Sequence, residues 1–185
     1  LASETELSDF LRSAERRAFK RCLYHVRDEE AALDIVQESM MKLAEHYGDK
    51  PPAELPLLFQ RILSNCVQDW FRRQKTRRSL FSNLSEFDLP EEADLMEFLP
   101  GVLEGWGSES AEDTTVRTQT LELLESLIKQ LPDRQREAFL LRYWEEMDVA
   151  ETAAVMGCSE GSVKTHCFRA VQSLSQALRD RGFSP

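Results

Sequence analysis

Two groups of side chains in this 185-residue chain combine types and spacings that suit chemistry, and the chemistry is recognition of nucleic acid rather than bond making. The first is Lys164, Thr165, Phe168, Arg169 and Gln172. These five fall on adjacent turns of one helix face. Cations suit phosphate and guanine, the hydroxyl and amide suit other base edges, and the ring suits a thymine methyl. The second is Arg61, Asn65, Gln68 and Arg72, spaced four, three and four, which runs into Arg73, Lys75, Arg77 and Arg78. Between Arg61 and Arg78 stand six cations and one acid, Asp69. Each cation can neutralise a phosphate and release counterions. Asn and Gln between them, with Trp70 and Phe71 alongside, fit a surface that tracks one strand and holds unpaired bases. Two plainer readings stay open at this point: a solvated hairpin face for the first group, and a basic helix end docked on an acidic part of the same chain for the second.

Residues arranged for catalysis are not found. His25, His46 and His166 are isolated, no glycine loop is built to cradle phosphate, and the paired carboxylates sit on charged helical faces where solvation is their ordinary state. No cofactor, metal or small-molecule substrate is expected. Cys22, Cys66, Cys158 and Cys167 occur singly, each read on an apolar helical stripe, whereas zinc or a disulfide framework wants short paired spacings. Buried reduced thiols are expected.

The net charge is −10, from 23 Lys and Arg against 33 Asp and Glu, which taken alone is the wrong sign for gripping nucleic acid. The excess is confined to one stretch. Residues 1–78 carry 14 basic and 13 acidic groups, residues 79–116 carry no base and 10 acids, and residues 117–185 carry 9 and 10. No apolar run approaches the roughly 18 residues of a membrane span. The first residues are acidic and polar where a signal peptide is basic and then apolar, so a cytoplasmic protein is expected.

Apolar residues recur at helical spacing nearly everywhere outside the acidic stretch, so the fold class is all-α, with two small helical domains joined by an acidic linker. Leu7, Leu11, Ala14, Ala18, Cys22 and Val26 mark a first helix, broken at Arg27–Glu30. Val36, Met40, Leu43 and Tyr47 mark a second, ended by Gly48. Phe59, Leu63, Cys66 and Trp70 mark a third, from about Leu57 to Arg73. The expected domains are 1–78, a linker at 79–116, and 117–185. The linker's Phe81, Leu84, Phe87, Leu95, Phe98, Leu99 and Trp106 are more apolar than a solvated tether needs, so it is expected to dock. Leu121, Leu124, Ile128 and Leu131 share a helix that Pro132 stops. Asp133 is expected to cap the next helix, Arg134–Glu145, with Ala138, Leu141 and Trp144 inward.

Met147–Leu178 has the spacing of a helix-turn-helix. Asp148 with Glu151 makes a capping box for Val149–Met156. Gly157 suits the left-handed position that ends a helix, and Ser159 can cap the next. Val163, Cys167, Val171, Leu174 and Leu178 form that helix's apolar stripe.

These residues resemble bacterial RNA polymerase sigma factors of the sigma-70 family, group four, the extracytoplasmic-function type. Asp34-Ile35-Val36-Gln37-Glu38 is similar to the family's D-hydrophobic-V-Q-E signature, which binds the clamp of core polymerase. Leu58-Phe59-Gln60-Arg61-Ile62 with Asn65, Asp69 and Arg72-Arg73 resembles its promoter-melting and minus-ten-reading helix. Leu131-Pro132-Asp133-Arg134-Gln135-Arg136-Glu137 resembles the entry to its final domain, and Gly161-Ser162-Val163-Lys164-Thr165-His166 with Phe168-Arg169-Ala170 its minus-thirty-five recognition helix. Four such motifs in order, covering nearly all of the chain outside the linker, make the resemblance specific.

The resemblance implies a non-catalytic specificity subunit that binds core RNA polymerase at clamp and flap, recognises promoter DNA and helps melt it. Asp34, Gln37 and Glu38 would face the clamp. Asn65, with Arg61 and Gln68, would help read the melted strand beside a base pocket in the Gly48–Leu55 loop, and Arg72, Arg73 and Lys75 would hold its phosphates. Lys164, Thr165, His166, Phe168, Arg169 and Gln172 would meet the minus-thirty-five duplex, with Arg134 and Arg136 as further phosphate contacts. An anti-sigma protein, often held at the inner membrane, is implied as a partner. His166 stands where the family usually has Arg, which replaces a permanent cation by one that titrates. A stand-alone regulator would carry a phosphoacceptor or ligand domain at its N-terminus, where this chain has Asp34–Glu38 and the Arg61–Arg78 helix. An all-α hydrolase would need clustered His and carboxylate, which the sequence lacks.

Overall fold

Ser3 starts the first helix by a reciprocal cap. In a computed structural model describing residues 3–75, 103, 106 and 115–183, its hydroxyl accepts from the Glu6 N–H at 3.2 Å. The Glu6 carboxylate in turn accepts from the Ser3 N–H at 2.7 Å, which satisfies two donors that a helix start leaves open. Helix α1 (Glu4–Val26) ends at Arg27, which is left-handed at φ 58° and donates its N–H to the Leu23 carbonyl at 3.0 Å. Asp28 then caps α2 (Glu29–Tyr47), accepting from the Ala31 N–H at 2.7 Å. Gly48 ends α2, but its φ is −61°, so glycine is required for space and not for handedness. A Cβ there would stand 2.8 Å from the Ala44 carbonyl oxygen. A 3-10 turn at Pro52–Glu54 leads into α3 (Leu55–Lys75).

The stripes of these three helices meet in one core. Ala18, Cys22 and Val26 pack with Ala32, Ile35, Val36 and Leu43, and with Leu55, Phe59, Leu63, Cys66 and Val67. Leu7, Leu11, Ala14, Met40, Tyr47 and Trp70 close its edges, partly buried. Phe10 meets Phe59 edge-on, with centroids 5.8 Å apart. Each large side chain so buried contributes roughly 1.5–3 kcal/mol. Arg21 is fully buried in the same unit, and its guanidinium joins α1 to α3 by donating to the Gln60 amide oxygen at 2.8 Å and to the Ser64 hydroxyl.

A second compact unit holds the described residues from 103 to 153 and from 158 to 183. Helix α4 (Thr115–Gln130) buries Leu124, Leu127 and Ile128, and Leu131 is buried just past its end. Pro132 occupies the cap position of α5 (Asp133–Phe139). This corrects the expectation for Asp133: it sits in the first turn without capping, and its carboxylate takes the Arg136 guanidinium at 2.7 Å. Nor does α5 run on regularly to Glu145. Its continuation, Leu140–Trp144, widens into a π turn in which the Glu145 N–H donates to the Leu140 carbonyl at 2.9 Å. Helices α6 (Val149–Met156) and α7 (Glu160–Asp180) follow, and both α4 and α5 pack on α7. Val163, Ala170, Val171, Leu174 and Leu178 are its buried stripe, Cys167 being only half-buried.

Helices account for all the regular structure among the described residues, so the all-α expectation holds. Apart from Leu103, Trp106, Thr115 and Val116, the acidic stretch lies outside the described residues, as do Arg77 and Arg78. Among the described residues, no helix is long and apolar enough to cross a membrane.

Candidate nucleic-acid interface

The helix-turn-helix is built by local bonds that its sequence spells out. The Asp148 carboxylate accepts from the Glu151 N–H at 2.8 Å, and Glu151 accepts from the Asp148 N–H at 3.0 Å, a complete capping box for α6. Gly157 is left-handed at φ 64°. The Ser159 hydroxyl accepts from the Ser162 N–H at 3.1 Å and starts α7. Cys158 lies in the turn and is half-exposed, which corrects its assignment to a helical stripe. Burial raises its thiol pKa, so the thiol is protonated near neutrality.

On α7, Lys164 and Gln172 are exposed, and Thr165, His166, Phe168 and Arg169 are half-exposed along the side away from the buried stripe. The Thr165 hydroxyl donates to the Gly161 carbonyl at 3.0 Å, which leaves its oxygen's lone pairs for another donor. Burial, with the Arg134 and Arg169 cations nearby, holds His166 below the ordinary histidine range. Its Nδ1 is buried without a hydrogen-bond partner. His166 therefore presents a neutral imidazole at neutral pH.

The two arginines at the start of α5 differ in role. Arg134 is half-exposed and pairs with Glu137 at 2.9 Å. Arg136 is 3 % exposed, and donates to the carbonyls of Lys129 and Leu131 at 3.2 and 2.9 Å as well as to Asp133. Those carbonyls end α4 and would otherwise be open acceptors. Arg136 is thus a structural cap between α4 and α5, which corrects its expected place among the phosphate contacts.

In the first unit, Arg61, Asn65, Arg72 and Arg73 are exposed on α3 and Gln68 is half-exposed; Lys75 closes the helix. Asp69, the acid among these cations, pairs with Arg72 at 3.0 Å and takes the Arg73 Nε–H on its backbone carbonyl at 3.4 Å. Trp70 and Phe71 are committed elsewhere: both pack on the core, edge-on to each other at 5.1 Å. The loop before α3 is exposed at Asp49–Glu54 and tied by the Lys50 N–H to the Tyr47 carbonyl at 3.0 Å.

Asp34 and Gln37 are exposed on α2, and Glu38 is half-buried, holding the Lys42 ammonium at 2.7 Å. That bond raises the Lys42 pKa. Sequence reasoning missed two neighbours. Leu33 is 49 % and Met41 61 % exposed, in one row with Gln37 at i, i+4 and i+8. The signal was there: both are large apolar residues off the core stripe.

Together these features define a helix-turn-helix protein with a second, basic helical face on a separate unit. The family description "Sigma-70, region 4" matches residues 121–174. The RNA polymerase sigma-E factor of Streptomyces antibioticus is 31 % identical over 162 residues, covering 84 % of this chain and 75 % of that protein. The ECF RNA polymerase sigma factor SigM of Bacillus subtilis is 27 % identical over 165 residues, covering 89 % of each. The sigma factor RpoE of Bartonella quintana, solved in complex with the anti-sigma factor NepR, has the same fold at TM-score 0.60 and 22 % identity, covering 95 % of this chain and 96 % of that one. The chain belongs to the sigma-70 family of RNA polymerase sigma factors, in its extracytoplasmic-function group. It is a sigma factor of transcription initiation, a regulatory subunit.

Proposed function

We propose that the chain directs core RNA polymerase to promoters by holding two DNA elements with its two units. Helix α7 reads the minus-thirty-five duplex through Lys164, Thr165, Phe168, Arg169 and Gln172, with Arg134 on a phosphate and His166 as a neutral neighbour. Helix α3 takes the melted minus-ten strand, Asn65, Arg61 and Gln68 contacting bases and Arg72, Arg73 and Lys75 the phosphates. Extruding a base costs a few kcal/mol, which contacts to the base and the strand must offset. Asp34, Gln37 and Glu38, widened by Leu33 and Met41, meet the polymerase clamp, and the second unit meets the flap. The linker, with ten carboxylates and no cation, lies in the polymerase's positive nucleic-acid channel as a stand-in for RNA phosphates. An anti-sigma protein covers the polymerase-binding surfaces when the factor is idle.

The observation that carries this is the presence of two exposed basic faces: one on a capped helix-turn-helix, the other on a long helix rich in Arg, Asn and Gln. The two faces should fail differently. With core polymerase present, Arg169→Ala should weaken closed-complex binding by about 1–3 kcal/mol and relax selectivity at one minus-thirty-five position. Asn65→Ala should spare closed-complex binding and reduce the single-stranded, permanganate-reactive minus-ten region. Equal loss of both steps in both variants would contradict the division of labour.

A further inference from the structure

Arg21 on α1 is 0 % exposed, and among the described residues no carboxylate pairs with it. A buried guanidinium ordinarily has an acid partner, because taking a charge out of water is costly. Here two neutral oxygens on successive turns of α3 stand in that place. Nη1 donates to the Gln60 amide oxygen at 2.8 Å and Nη2 to the Ser64 hydroxyl, while Nε is buried without a partner. With so few acceptors, releasing either one would leave a further buried donor open.

This fixes the sense of the Gln60 amide. A guanidinium has donors only, so the amide must turn its oxygen toward Arg21; reversed, two sets of donors would face each other. The NH2 group is left pointing away. Gln60 is half-buried, and its amide nitrogen stays open to solvent with no hydrogen bond to another described residue. Gln60 and Ser64 both touch α1, whereas Arg61 and Asn65, one position on from each, are exposed. Gln60 therefore borders the exposed face of α3. A surface glutamine can ordinarily present either end of its amide; this one presents two N–H donors and no acceptor.

We propose that Gln60 is a specificity-determining residue of α3: locked by Arg21 as a donor, it selects a keto base, guanine or thymine, at one position of the unpaired strand. Guanine O6 and thymine O4 accept at the place where adenine N6 and cytosine N4 donate. On an unpaired base that edge is open to a side chain. A donor-only group bonds the first pair and meets a second donor on the other. Arg21 touches no DNA in this account and acts as the positioning residue behind Gln60. Sequence spacing could not reveal the lock, since the cation that sets it lies 39 positions away. The selection rests on α3 taking the melted strand; the lock does not.

The test uses the full chain with core RNA polymerase and a fork-junction DNA whose single-stranded minus-ten overhang carries each of the four bases at each position in turn. Competition binding gives the preference at every position. Gln60→Glu keeps an oxygen on Arg21 and supplies the missing acid, so its urea midpoint should equal or exceed that of the wild type. Its outward group is now an acceptor. At one position the wild type should favour guanine and thymine by about three- to tenfold, and Gln60→Glu should favour adenine and cytosine instead. Arg21→Met fills the space without donating and lets the amide turn, so the preference at that same position should fall below about twofold while the other positions keep theirs. A lower urea midpoint for Gln60→Glu overturns the lock. Equal weakening of all four bases, which added negative charge alone would cause, overturns the selection, as does an unchanged order. Full preference in Arg21→Met overturns the positioning role; if that variant does not fold, Gln60→Glu decides. Asn65→Ala separates the selection from its premise. If it weakens overhang binding while Gln60→Glu leaves the order intact, Gln60 falls alone; if neither variant changes overhang binding, the reading of α3 falls and the selection with it.

Discussion

Two residues of the second unit show how little a cation's type says about its role. Arg136 lies within a family-like motif, yet its guanidinium is spent on two carbonyls at the end of α4 and on Asp133. Arg136→Ala should cost about 2–4 kcal/mol, since it leaves buried acceptors open. Urea unfolding of the second unit measures this, and the salt dependence of DNA binding should keep its slope; a slope reduced by about one with unchanged stability would return Arg136 to the phosphate contacts. His166 makes the opposite point. Its folded pKa lies below the unfolded value, so charging it favours the unfolded chain. Its contribution is fully present above the unfolded value of about 6.5 and is lost as pH falls from there toward the lowered folded value. Denaturation midpoints should therefore drop between about pH 7.5 and 5.5, and His166→Gln should flatten that drop. An equal drop in the variant would place the titration elsewhere. Neither role was legible beforehand, because each depends on what neighbouring helices bring within reach.

At the scale of elements, most of the fold was legible. The Asp148–Glu151 box, the left-handed Gly157 and the Ser159 cap are local bonds between residues three apart or fewer, so sequence spacing suffices to find them. The stripes of α1–α3 and α7 were readable for the same reason. Ala32 and Ile35 were missed because α2 is covered on two sides, so its buried face is wider than one stripe. The π turn at Leu140–Trp144 was hidden too, since it accompanies a run buried all round, partly by a tryptophan more than thirty positions away. Gly157 offers a clean test of the turn. Nothing lies within 4 Å of a Cβ built there, so Gly157→Ala should cost only the left-handed backbone penalty, about 1–2 kcal/mol. Gly157→Asn should cost less, as Asn tolerates that conformation. Equal losses for both would mean that contacts, not handedness, fix the turn.

For the whole molecule, net charge misreports the partners. A value of −10 conceals two nearly neutral helical portions, with the excess in residues 79–116. The basic faces of α3 and α7 are therefore local features, and weak attraction to bulk DNA would leave promoter binding dependent on the polymerase. Replacing the ten carboxylates of that stretch by amides should change polymerase affinity and the yield of abortive transcripts; unchanged values of both would remove the linker from the polymerase channel. At this scale we propose that the chain confers promoter choice on core RNA polymerase. Run-off transcription from a genomic promoter library, with core enzyme plus and minus the chain, tests it most directly. The expected result is a discrete set of new start sites that appears only with the chain and is lost in a variant combining Asn65→Ala with Arg169→Ala. Transcripts identical with and without the chain would contradict the claim.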